Sequence, residues 1–231
     1  MSYENNKNQF ISDYNVAAKK ANLDTTKIMT ADEAYEIYTN SWNVKKESRN
    51  FQVFGRHVWK DPQAREIKNQ PLWRTMLPGH LVGIGAPEFI NFRSNPAPTG
   101  VSDPEPGSVL SAHVKWCVTV NDAWLLGGVH SGQEFHAASP INRRNLYNKE
   151  YILSVMGREL VGLLLAGYKE RRERFTSGSS HHQRSFTANK LSWDQKGQLS
   201  LVQYQEEISK ITLHEFRARE FFRDHGIKMG S

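Results

Sequence analysis

Three histidines, His113, His130 and His136, lie close in sequence to one carboxylate, Glu134, and the pattern around them bears on whether they meet. His113 belongs to the polar half of an alternating run whose apolar half is Leu110, Ala112, Val114, Trp116, Val118 and Val120. Such alternation predicts a strand with one buried face. Asn121-Asp122 suits a tight turn and 123–129 is apolar again, so 109–130 is expected to form a β-hairpin. An even-numbered turn would pair Val118 with Leu125 and Val114 with Val129, placing His113 opposite His130. If the second strand runs on, Glu134 and His136 join the same face.

Two imidazoles and a carboxylate can serve as general acid and base near neutral pH, as in metal-free phosphodiester cleavage. Arg143 and Arg144 would then hold anionic oxygens through forked hydrogen bonds. His181 and His182, in a Ser/Gly-rich stretch with Arg184, would contact substrate from a loop. Alternatively His130, Glu134 and His136 would bind a divalent metal with open positions, although the His-x3-Glu-x-His spacing matches no specific metal motif. No motif names a cofactor. The same histidines also read simply as solvated side chains on a polar strand face.

His80, in Gly79-His80-Leu81-Val82-Gly83-Ile84-Gly85, resembles the histidine strand of papain-like peptidases. Its nucleophile would have to be Cys117, the only cysteine. A mid-strand position beside Trp116 offers none of the electropositive surroundings that a reactive thiolate needs, so Cys117 reads as inert. Gly127-Gly128 and Gly83-x-Gly85 lack the P-loop lysine and the full dinucleotide fingerprint.

The surrounding elements define an α+β expectation: a helical N-terminal portion, a short antiparallel sheet centred on the 109–130 hairpin, and C-terminal helices covering it. Thr30-Ala31-Asp32-Glu33 is a capping box that opens a helix over 31–42. Asp61-Pro62 marks a further helix start. The stretch 94–107, with Pro96, Pro98, Pro104 and Pro106, is a loop or linker. It would divide one 231-residue domain into a mainly helical 1–93 and an α+β 108–231. A helix is expected over 145–175, ending in the charged run 169–174, where cations complement the helix dipole. Leu201, Tyr204, Ile208 and Ile211 form the apolar stripe of another helix. A second capping box, Thr212 to Glu215, would open the last one, with Gly226 at its C-terminal end.

The chain carries 38% hydrophobic and 11% aromatic residues, enough large rings to argue for a packed core and against disorder. One cysteine excludes an internal disulfide framework and fits a reducing compartment. The polar first residues hold no signal-peptide core, so the chain is expected in the cytoplasm where it is made, and a protein exported later would look the same. The longest apolar run, 160–168, falls far short of the roughly twenty residues of a membrane span.

A net charge of +6 favours an anionic substrate or acidic partner, nucleic acid among them. The leading expectation is therefore a small basic hydrolytic enzyme acting on a phosphodiester or similar anion, with His113 and His130 as acid and base and Glu134 or His136 orienting them. These pieces fit the genre of small bacterial effector or toxin domains, without a motif that names a family. The alternative is a non-enzymatic interaction protein that binds an acidic partner through its basic surface.

Overall fold

Two helices open the described chain. In α1 (Lys7–Lys20) the Asn6 side chain accepts from the Gln9 N–H, and Phe10, Tyr14, Ala17 and Ala18 are buried. In α2 (Ala31–Asn43) the expected capping box forms, with Thr30 Oγ1 accepting from the Glu33 N–H at 3.2 Å and the Glu33 carboxylate accepting from the Thr30 N–H at 2.7 Å. The computed structural model describes residues 2–26, 28–43, 51–54, 77–78, 117–137, 140–148, 152–172, 184–188 and 199–228. His80, His113, His181, His182, the 61–62 and 79–92 segments and the Pro-rich 94–107 stretch lie outside them.

The short strands β1 (Phe51–Phe54) and β2 (Leu77–Pro78) precede α3 (Val118–His130). This helix is the principal correction to the sequence reading. The C-terminal part of the expected hairpin, including its Asn121-Asp122 turn and whole second strand, is one continuous helix. Thr119 through His130 are all buried in it. A helix buried on every side has neighbours on every side, and its sequence shows no one-sided stripe. Alternation of Val118 and Val120 with polar residues therefore mimicked a strand, and packing overrode the β preference of valine.

Beyond α3 come β3 (Glu134–Ala137), the single turn α4 (Arg143–Leu146), β4 (Tyr147–Asn148), β5 (Ile152–Leu153), α5 (Val155–Leu165), β6 (Tyr168–Arg172), β7 (Arg184–Ala188), α6 (Leu201–Ile211) and α7 (Glu215–Asp224). The fold is α+β. Its larger sheet has the order β2-β1-β3-β7-β6, parallel on either side of β1 and antiparallel from β3 through β7 to β6, and β4 and β5 form a separate antiparallel pair.

The long helix expected over 145–175 is broken twice. Ser154 caps α5 by accepting from the Gly157 N–H, and Gly167, with φ +82°, turns the chain out of α5 into β6. The basic run from Lys169 consequently starts in a strand and does not close a helix. The second capping box also fails to form. Thr212 donates back to the Ile208 carbonyl at 2.8 Å as the end of α6, and His214 precedes α7 without a side-chain cap. Gly226 ends α7 as expected, with Ile227 N–H bonding to Phe222 O and Gly226 N–H to Arg223 O.

The buried apolar side chains form one cluster around α3. Trp124 meets Phe135 of β3 edge to face at 5.9 Å, and Phe135 meets Tyr168 of β6 at 5.7 Å, joining sheet to helices. On its other side α3 approaches α2 so closely that a Cβ on Gly127 would stand 2.3 Å from the Tyr38 carbonyl oxygen. Ser41 Oγ donates to Trp124 O across the same contact at 2.6 Å. Because the obstacle is backbone, Gly127→Ala is expected to force the helices apart and cost about 2–3 kcal/mol. Urea unfolding would check this, and a loss under about 0.5 kcal/mol would mean the two helices separate easily.

Candidate functional site

His130 ends α3, and the structure places both of its ring nitrogens in the interior. Nε2 lies 2.9 Å from the Leu199 carbonyl, which only accepts, so Nε2 carries the proton. Nδ1 then accepts from the Tyr38 hydroxyl at 2.9 Å. The Tyr38 oxygen in turn accepts from the Tyr3 N–H at 3.0 Å. The Tyr3 hydroxyl donates to Asp13 at 2.5 Å and accepts from the Leu201 N–H at 2.9 Å. This clasp joins the residues before α1, the α2 and α3 helices, and the start of α6. His130 is 3% exposed, and burial lowers its pKa to about 4. It is neutral at neutral pH, with no ring nitrogen left for a metal or a substrate proton.

The proposed pairing of His113 with His130 loses its basis, since residue 130 ends a helix and not a hairpin strand; His113 itself is outside the described residues. Nor does one strand carry His130, Glu134 and His136 together. The turn at Ser131 and Gly132, with Gly132 at φ +69°, separates the histidine from β3. Glu134 and His136 do share β3, in register with Phe51 and Val53 of β1. Arg143 and Arg144 are exposed on α4, where Arg143 bonds Glu215 of α7 at 3.0 Å. Among the described residues no group of three or more His, Cys, Asp and Glu side chains could hold a metal ion.

Cys117 is also relocated. It precedes the first turn of α3 and does not lie mid-strand, yet it is 2% exposed and burial pushes its thiol up. The Tyr14 hydroxyl donates to Met29 O at 2.9 Å, so in the 3.8 Å contact with Sγ the thiol is the donor. A helix N-terminus favours a thiolate, but here burial outweighs it.

The charged groups that the sequence reading missed lie between α3, α5 and α6. Asp122 and Arg158 form an ion pair at 2.6 Å with side chains 3% and 11% exposed. Arg158 also donates to Gln205 at 3.2 Å, and Asn121 donates to Glu159 at 3.2 Å. The Tyr204 hydroxyl donates to the Arg158 carbonyl. Burial raises the Asp122 carboxyl against the pull of Arg158, whose guanidinium keeps its charge. Among the described residues, Asp122 Oδ1, Arg158 Nε and Thr119 Oγ1 have no hydrogen-bond partner. The available signal was the pair Arg158-Glu159 inside the apolar run of α5, because a charge within a buried stretch calls for an opposite charge nearby.

The chain matches no protein-family model, no curated protein and no solved structure. No helix of the described residues is long and apolar enough to cross a membrane.

Proposed function

We propose that this chain is an interaction protein that binds an acidic macromolecule through its basic surface. One observation carries the reading: Arg143 of α4 and Arg219 of α7 are exposed and meet at the Glu215 carboxylate, and Arg144 and Arg217 are exposed on the same two helices. Arg143 and Arg219 both bond the Glu215 carboxylate, at 3.0 and 2.6 Å, so the cluster keeps an excess of positive charge. Arginine forks suit carboxylate and phosphate oxygens alike. Proton transfer by His130, the centre of the hydrolytic alternative, has no support in a sealed and neutral imidazole.

The test uses the full chain with two labelled probes, poly-glutamate and oligothymidylate, read by fluorescence anisotropy at low and physiological salt. Binding to at least one probe is expected, weakening steeply with salt. Arg143→Glu with Arg144→Glu should weaken it about tenfold or more. Binding indifferent to both salt and charge reversal would overturn the proposal, as would turnover of a probe that His113→Ala abolishes.

A further inference from the structure

We infer that the corner between α6 and α7 docks an acidic polypeptide segment bearing a large apolar anchor, an inference that rests on the basic-surface reading above. Residues 213–217, Leu-His-Glu-Phe-Arg, are exposed without interruption. Leu213 is 58% and Phe216 65% exposed, the two most exposed large apolar side chains among the described residues. The corner holding them is firmly built. Ile211 and Ala218 on either side are buried, and the Arg217 and Ala218 N–H groups both bond to the His214 carbonyl.

Helical spacing places Phe216 beside Arg219 and Glu220, with Arg223 a further turn along. Arg143 reaches the same corner through Glu215. An exposed aromatic side chain with an arginine one turn away is the composition of an interface centre. The charges also narrow the class of partner. Glu215, Glu220 and Asp224 stand among the arginines, paired with Arg143, Arg219 and Arg223. A uniform phosphate backbone or an anionic membrane surface would meet these carboxylates head-on. A polypeptide can set discrete carboxylates against the arginines and leave the acidic positions uncrowded. Leu213 and Phe216, both exposed at this corner, fit an aliphatic or aromatic anchor, whereas a nucleobase would gain from the ring but little from the leucine.

The experiment compares two labelled glutamate-rich peptides by anisotropy, one carrying a leucine and a phenylalanine and the other glutamines in their place. The anchored peptide is expected to bind about tenfold more tightly. Phe216→Ala and, separately, Leu213→Ser should remove most of that difference while leaving the plain peptide's affinity and the thermal midpoint unchanged. Equal affinity for the two peptides, or an advantage that survives both substitutions, overturns the inference and leaves the basic-surface reading standing. Binding confined to oligothymidylate overturns the inference alone, and binding to no polyanion overturns both.

Discussion

Asp122→Ala is expected to lower the unfolding free energy by about 3–5 kcal/mol, the cost of leaving a buried charge without its partner. The substitution removes the one acidic side chain within bonding distance of Arg158 among the described ion pairs and strands a guanidinium whose side chain is 11% exposed. Gln205 still accepts one hydrogen bond from it at 3.2 Å, but a neutral amide cannot replace a counter-charge. The reciprocal change gives the control. Asp122→Ala with Arg158→Met removes both charges and should recover most of the loss, because no buried charge is then left without its partner. Urea unfolding of the two single variants and the double variant would provide the coupling energy. A loss below about 1 kcal/mol for Asp122→Ala would show that water reaches the pair.

Acidification is expected to destabilise the protein through His130. The folded pKa is about 4 and the ordinary value 6.5. Between those values the unfolded chain holds a proton on this ring that the folded chain does not, so stability rises with pH across the window. The contribution is fully present above about pH 6.5. It is lost progressively as pH falls toward 4, for a total of about 3 kcal/mol. A second proton would sit on Nδ1, so the Tyr38 hydroxyl could no longer donate to it and would have to turn its own proton elsewhere. His130→Gln keeps a donor for the Leu199 carbonyl and cannot titrate. Denaturant titrations from pH 4 to 7.5 should therefore show a shallower slope for the variant than for the parent. Parallel slopes would contradict the buried, neutral assignment.

The parts of the fold legible in the sequence are those whose signals are local or one-sided. The Thr30–Glu33 box, the Leu201–Ile211 stripe and Gly226 each depend on a few neighbouring residues, and the structure has all three where the spacing put them. The Thr212–Glu215 box is local as well, but Thr212 had a competing acceptor in Ile208 O. Helix α3 was illegible because complete burial erases periodicity. Its Asn121-Asp122 dipeptide resembles a turn only while the helix's neighbours are unknown. Of the candidate site, Arg143 and Arg144 are exposed, while His130 turned inward. Nothing in the sequence near His130 announces Tyr3, Tyr38 or Leu199 as its partners, since each is remote along the chain.

That remoteness constrains how the chain acquires its shape during synthesis. The His130 clasp bonds Leu199, 69 positions later, and is completed when Leu201 meets Tyr3 across 198 positions. A ribosome therefore delivers α3, buried along its length in the folded protein, long before α6 exists to complete its cover. The nascent protein must hold this mostly apolar helix incompletely covered, or against a chaperone, until α6 emerges.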